Sequence, residues 1–400
     1  MLNSYSQWFE FKNAIADTEI LHRLSRHLAL AGWDYEFQVN LDSNSILVVG
    51  AGGLGSTLCM LLAGSLFRNK KLTIVDPDSV ELSNLHRQTA FTESDIGHSK
   101  AERLAEFCRK RNSTCNVLPI VERVTERNGP GLIEEHDIIF DCTDNVCSRI
   151  LLSDLWHKTA RKKHLISGSC VGWCGQLINL VPGNAFCLRC VYGKITEDMK
   201  GCDRLGQCAL QGVMGPVVSV VASMQLIQYI NHLKSPTTDS SMSLVDFSSG
   251  SGSFRQIKVP PSCNTCLGVK DDVIYNLGSS VEPQLTDSNA IELDGKELLT
   301  LLENDACKVI DVRERKHYWY SHFKNSLNLP ASEFVHSNVD LDRVESLKEI
   351  FSSSTHTCTV VVCRRGKDSL RFAFQASQAF PGRQILSLRG GLQGLALDIV

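Results

Sequence analysis

The sequence predicts an α/β protein in which a doubly wound, largely parallel sheet is followed by a second, smaller α/β domain. Three observations predict it. Apolar strand-like runs alternate with helical patterns from Ile46 to about Asp144. A glycine-rich turn joins the first strand of that series to its first helix. Beyond Ala290 the alternation resumes, after a stretch of Gly, Ser, Pro and acidic residues with no periodicity. The expected division is residues 1–268, a linker over 269–289, and residues 290–400.

The elements follow in order. Ile46-Leu47-Val48-Val49 is a buried strand run and Ser56 to Leu66 a helix. Leu72 to Asp76 is a second strand, and Ser99 to Arg111 carries Ala101, Leu104, Ala105 and Cys108 on one helical face. Asp137 to Asp141, Leu165 to Ser167 and Gln176 to Val181 are further strands. In the second domain Lys308 to Val312, Thr359 to Val362 and Gln384 to Leu388 read as strands separated by helices. No internal repeat is visible.

Composition bounds the function classes. The 400 residues hold 41 Lys+Arg and 44 Asp+Glu, a net charge of −3, with 43% apolar and 21% charged residues. That is ordinary globular composition, and it excludes a basic protein that coats nucleic acid. Ile46–Phe67 and Leu205–Asn231 are free of charge and long enough to cross a bilayer. Four glycines interrupt the first, and Gln207, Gln211, Pro216 and Gln225 the second, so buried helices are expected instead. Met1 to Glu10 has neither a basic start nor an apolar run. A cytoplasmic chain is expected, whose 16 cysteines stay reduced and serve metal binding or catalysis.

Gly50-Ala51-Gly52-Gly53-Leu54-Gly55 fits G-x-G-x-x-G between a strand and a helix, and Asp76 ends the next strand. Glycines let a backbone approach phosphates, the helix N-terminus faces their charge, and an acid at the second strand end can bind ribose hydroxyls. Taken alone, the motif suggests a dinucleotide dehydrogenase. The residues that follow point elsewhere. Ser83-Asn84-Leu85-His86-Arg87-Gln88 and then Lys100 bring amide, guanidinium and ammonium groups suited to a triphosphate. Asp144-Asn145 follow the strand ending at Asp141, where a carboxylate can hold Mg²⁺ or a side chain can cap the next helix.

VVGAGGLGS, VDPDSVELSNLHRQ, the lysine of GHSKAE, and DCTDN together resemble the ThiF/MoeB superfamily, relatives of ubiquitin-activating enzymes. The resemblance covers about residues 20–268. It implies a Rossmann-like domain that binds ATP and Mg²⁺ through Gly53, Asp76, Ser83, Asn84, Leu85, His86, Arg87, Lys100, Asp144 and Asn145. It implies adenylation of the C-terminal glycine of a small ubiquitin-like sulfur-carrier protein ending in GlyGly. It implies a homodimer in which Arg26, from Arg23-Leu24-Ser25-Arg26-His27, reaches the partner's ATP. His27 stands where the family usually has glutamine.

Two CxxC pairs, Cys187/Cys190 and Cys263/Cys266, offer four thiolates at the spacing of a structural Zn²⁺ site. Cys208 lies four residues ahead of Gly212-Val213, the position the superfamily gives to an acyl-accepting nucleophile; Cys202 does not match that spacing. Cys363-Arg364-Arg365-Gly366-Lys367-Asp368-Ser369 follows an apolar strand. Its loop amides, helix dipole and three cations suit a thiolate or persulfide anion. With Asp311-Val312-Arg313 and Leu388-Arg389-Gly390-Gly391, this region resembles a rhodanese, a sulfurtransferase domain. A phosphatase relative would carry arginine where Ser369 stands.

The fusion therefore resembles adenylyltransferase–sulfurtransferases of tRNA 2-thiolation and molybdopterin synthesis. Cys208 and Cys363 are the implied catalytic residues, and a persulfide donor such as a cysteine desulfurase is the implied second partner. No membrane or direct nucleic-acid contact is expected. Two other classes stand beside this one: a ubiquitin-type activator for protein conjugation, and a sulfur-relay scaffold without ATP turnover. Carrier-dependent pyrophosphate exchange separates the scaffold from an enzyme.

Overall fold

The structure is a computed structural model, and it describes residues 22–159, 163–182, 186–197, 212–236, 239–263, 266, 292–331 and 358–398. The chain divides into two compact units, Met1–Ser279 and Ser280–Val400.

The first unit opens with a short helix α1 (Ser25–Leu28) and α2 (Tyr35–Ser43), whose start is capped by the Asp34 carboxylate on the Phe37 N–H. Then come β1 (Ser45–Val49), α3 (Gly53–Ser65), β2 (Lys71–Val75), α4 (Lys100–Arg111), β3 (Val117–Ile120), α5 (Gly129–Glu134), β4 (Ile138–Asp141) and α6 (Val146–Thr159). After them follow β5 (His164–Val171), β6 (Cys174–Leu180), α7 (Leu188–Glu197), α8 (Gly215–Lys234), β7 (Ser241–Asp246) and β8 (Ser253–Ile257).

One sheet of order β3-β2-β1-β4-β5-β6-β7-β8 results, parallel through β5 and antiparallel from β6 onward. All five residues of β1 are buried, as a strand covered on both faces requires. Ile46 and Val48 pack with α3, α4 and α8, while Leu47 and Val49 face α5 and α6. The charge-free run Ile46–Phe67 is thus β1 and α3, and the described part of the second run is mostly α8. Among the described residues no helix is long and apolar enough to cross a membrane.

The order reverses between β1 and β4. Connections leave those two strands on opposite faces, the arrangement that in doubly wound sheets makes a crevice beyond the carboxyl ends of the strands. The glycine turn after β1 and the Cys142–Asn145 loop after β4 flank that crevice.

The second unit holds β9 (Glu292–Leu293), α9 (Gly295–Glu303), β10 (Cys307–Asp311), α10 (Arg315–Tyr320), β11 (Leu327–Asn328), β12 (Cys358–Val362), α11 (Lys367–Ala379), β13 (Ile385–Leu388) and α12 (Gly391–Asp398). Its five strands pair in parallel in the order β11-β10-β12-β13-β9. The central strand β12 ends one residue before Cys363, so the fold delivers that cysteine to the middle of the sheet's carboxyl edge.

Candidate functional site

The turn after β1 is built from backbone. Gly50 has φ 98°, and its carbonyl oxygen lies where a methyl group on Gly55 would sit, 1.8 Å away. Only glycine at position 55 lets α3 start so close to β1. A methyl group on Gly53 would meet Val218 at 2.9 Å and Arg87 at 3.5 Å, which places the arginine stem beside the turn.

Asp76, just past β2, accepts the Ala51 N–H at 2.6 Å and the Asp78 N–H at 2.8 Å. It is only 6% exposed, and burial pushes its carboxyl up, against the pull of Lys100 and the two amides. Lys100, the first residue of α4, is buried along its stem, and its ammonium meets Asp78 at 3.1 Å. Ser99 caps the same helix through the Glu102 N–H. Asn84 is buried and donates to the Ser83 hydroxyl at 3.0 Å, while Ser83 donates to Glu81 at 2.9 Å. Arg87 donates to the Ser83 carbonyl at 3.0 Å and lies 2.7 Å from a ring nitrogen of His86; Leu85 is half-buried beside them.

After β4 the two acidic-loop residues divide their tasks. Asn145 caps α6 by accepting the Ser148 N–H at 2.8 Å, and Asp144 stays exposed, held by Asn145 at 3.3 Å. Sequence reasoning passed over the residue that shapes this loop. Asp141 is fully buried and accepts from the Thr143 N–H, the Thr143 hydroxyl at 2.7 Å and the Ser167 hydroxyl at 2.6 Å. An aspartate closing an apolar strand run was its only signal. Arg26 is exposed on α1. Cys208 and Cys202 lie outside the described residues.

Cys187, Cys190, Cys263 and Cys266 bring their sulfurs within 4.8 Å of one another. Four sulfurs at about 2.3 Å from a tetrahedral zinc stand about 3.8 Å apart, and Cys187 lies 3.9 Å from Cys190 and 3.3 Å from Cys263, so the set fits that ion. The Ser262 N–H points at the Cys190 sulfur at 3.2 Å, and a ring nitrogen of His157 lies 3.5 Å from Cys266. His157 went unseen in the sequence because 109 residues separate it from Cys266.

In the second unit Cys363 is 2% exposed. Its sulfur accepts the Gly366 N–H at 3.1 Å and the Ser369 hydroxyl at 3.3 Å. Gly366, at φ 85°, sits at the N-cap of α11, which therefore starts at Lys367. Arg364, Arg365 and Lys367 are exposed around it. The Leu392 N–H donates to the Cys363 carbonyl at 2.9 Å, and a methyl group on Gly391 would lie 2.5 Å from that oxygen; the Arg-Gly-Gly turn thus locks the cysteine loop. Behind it, Arg313 grips the buried Asp311 through two nitrogens, the closest at 2.6 Å.

A tight glycine turn with the Arg87 stem beside Gly53 and the Asp76 carboxylate on the Ala51 N–H accords with the match of the ThiF family to residues 24–268, more than half of the chain. The chain belongs to the ThiF family. A rhodanese-like domain matches residues 294–398. This ThiF-family chain is 30% identical, over 99% of its length and 88% of the relative's, to the adenylyltransferase and sulfurtransferase MOCS3 of Arabidopsis thaliana. It is 30% identical to MOCS3-1 of Zea mays over 95% of this chain and 82% of that protein, and 28% identical to MOCS3 of Drosophila ananassae over 92% and 82%. The crystal structure of E. coli MccB has the same fold over 62% of this chain and 73% of its own, at TM-score 0.51 and 21% identity.

Proposed function

We propose that this ThiF-family enzyme adenylates the C-terminal glycine of a ubiquitin-like sulfur carrier with ATP and then converts it to a thiocarboxylate with sulfur held on Cys363. One observation carries the proposal: a single chain joins a tight glycine turn, with the Arg87 stem beside it, to a buried cysteine held by an N–H and a hydroxyl.

In the first unit the turn at Gly50–Gly55 and the start of α3 receive the phosphates. Asp76 faces the ribose, Ser83, Asn84, Leu85, His86 and Arg87 line the triphosphate, and Asn145 fixes the Asp144 loop. Lys100 is buried along its stem while its partner Asp78 is exposed, so a phosphate can replace Asp78 at the ammonium. Asp144 is the oxygen donor for Mg²⁺, which would neutralise charge on the leaving pyrophosphate. The carrier carboxylate attacks the α-phosphorus; the new C–O–P bond forms as pyrophosphate leaves. Arg26 of one subunit completes the partner's site in a homodimer. The four cysteines hold a structural Zn²⁺ that would tie the end of this unit to α7.

In the second unit Cys363 takes sulfur from a persulfide donor such as a cysteine desulfurase. The outer sulfur attacks the acyl-adenylate and AMP leaves; a second thiol then attacks the Cys363 sulfur, the acyl disulfide S–S bond breaks and frees the thiocarboxylate as a mixed disulfide with Cys363 forms, and a dithiol reductant returns Cys363 to the thiolate. Cys208 is the candidate for that thiol or for an acyl-enzyme step. The product serves tRNA 2-thiolation, molybdopterin synthesis or both, in the cytoplasm. ATP–pyrophosphate exchange that requires a GlyGly-ended carrier tests the first half. Exchange without carrier, or none with it, would contradict it.

A further inference from the structure

Behind Cys363 stand two buried hydroxyls in series. Ser369, on the first turn of α11, and Ser387, on β13, are both fully buried. Ser387 donates to the Ser369 oxygen at 2.9 Å, and Ser369 donates either to the Gly366 carbonyl at 3.1 Å or to the Cys363 sulfur at 3.3 Å. A hydroxyl has one proton to give. With Ser387 occupying a lone pair of Ser369, that proton has two acceptors, and the charge on sulfur chooses between them. A neutral thiol is the weaker acceptor, which leaves the proton on Gly366; a thiolate draws it over.

We propose that Ser369 is a further catalytic residue of sulfur transfer, and that Ser387 positions it; this rests on Cys363 being the sulfur-carrying residue. The reaction puts negative charge on the Cys363 sulfur twice. In loading from thiosulfate, the thiolate attacks the sulfane sulfur, the thiosulfate S–S bond breaks, and its electron pair leaves with sulfite as the Cys363 S–S bond forms. In unloading, cyanide attacks the outer sulfur, and the electron pair of the Cys363 S–S bond returns to the cysteine as thiocyanate departs. At both moments Ser369 swings its proton to the sulfur without moving a heavy atom. Such preorganised donation in a dry site stabilises developing charge more than water does. Ser387 sharpens this by filling the Ser369 acceptor site, so that the hydroxyl proton has no third direction.

The charged groups on the surrounding elements include Glu292 on β9, Lys308 and Asp311 on β10, Arg313 after it, Arg315, Lys316 and His317 on α10, Arg364 and Arg365 on the cysteine loop, Lys367, Asp368 and Arg371 on α11, and Arg389 after β13. They are common to every variant below, so a difference between variants reports the hydroxyls. The test uses full-length protein with Ser369→Ala, Ser387→Ala and both together. It reads thiosulfate:cyanide sulfurtransfer, and alkylation of the Cys363 peptide by iodoacetamide as a function of pH.

Ser369→Ala is expected to lower kcat about tenfold or more, with a smaller change in KM, and to move the alkylation profile to higher pH. Ser387→Ala should move both in the same direction by less. The double variant should match Ser369→Ala, because Ser387 acts only through Ser369. Pyrophosphate exchange should stay at the wild-type level throughout. An unmoved profile in Ser369→Ala would overturn the proposal, and so would additive effects in the double variant. Should Ser369→Ala fail to fold, Ser387→Ala, which keeps the Ser369 hydroxyl, decides alone: a wild-type profile overturns the relay. Alkylation needs no turnover. A shifted profile in a protein without sulfurtransfer would therefore support the relay and sink the sulfur-transfer half of the proposed function.

Discussion

The Asp76 carboxylate accepts the Ala51 backbone N–H at 2.6 Å and so ties the end of β2 to the turn that leaves β1. The residue proposed to face the ribose thus also holds the glycine turn in shape. Asp76→Ala should weaken ATP binding at least tenfold and cost about 2 kcal/mol of stability, since two backbone donors lose a charged acceptor. Asp76→Asn keeps one acceptor oxygen and should cost less stability than alanine. ATP titration and urea unfolding of the two variants check both halves.

Asp144 is exposed and accepts a bond from its neighbour Asn145, which does the capping of α6. Asp144→Ala should therefore abolish carrier adenylation, by about a hundredfold or more, while leaving the melting temperature within a degree or so of wild type. Pyrophosphate exchange read beside thermal unfolding tests this, and near-normal exchange would remove Asp144 from the mechanism.

The four-sulfur cluster predicts one zinc per chain. Cys263→Ser, or prolonged chelation, should release it and lower the melting temperature of the first unit by ~10 °C, the equivalent of a loss of about 3 kcal/mol. His157→Phe should keep the fold but release zinc to a chelator about tenfold faster, because the ring nitrogen beside Cys266 would be gone. Elemental analysis and a chelator time course are the measurements.

His164 opens β5, bonded to Asn179 and packed at a tilt against His232 with ring centroids 4.2 Å apart. Burial pushes its imidazole down to about 4. The unfolded value is about 6.5, so the folded unit excludes the proton. This contribution, about 3 kcal/mol, is complete above pH ~6.5 and is lost as the pH falls from there toward ~4. Urea midpoints across that window should fall more steeply for wild type than for His164→Asn.

What the sequence made legible follows from how local each signal was. The buried strands β1, β2 and β4 are short apolar runs, and both CxxC pairs show in their spacing. The edge strand β3 is masked by Pro119, a residue tolerated because, among the described residues, no further strand needs its missing N–H on that side. The antiparallel strands β7 and β8 are polar and half-exposed, so no apolar run marks them. Asn145, not Asp144, proved to be the cap, a one-residue distinction that only geometry makes. Ser369 was visible as the residue standing where a phosphatase has arginine, but its bond to Ser387 joins a helix to a strand and could not be read from spacing.

In the proposed function sulfur reaches the activated carrier from Cys363. The measurement that tests it most directly is the intact mass of a GlyGly-ended carrier after incubation with ATP, a persulfide donor and either wild-type enzyme or Cys363→Ala. The wild type should exchange one carrier oxygen for sulfur. Cys363→Ala should leave the carrier mass unchanged while pyrophosphate exchange continues at the wild-type rate. Full thiocarboxylate formation by Cys363→Ala would contradict the account and reduce the second unit to a docking module.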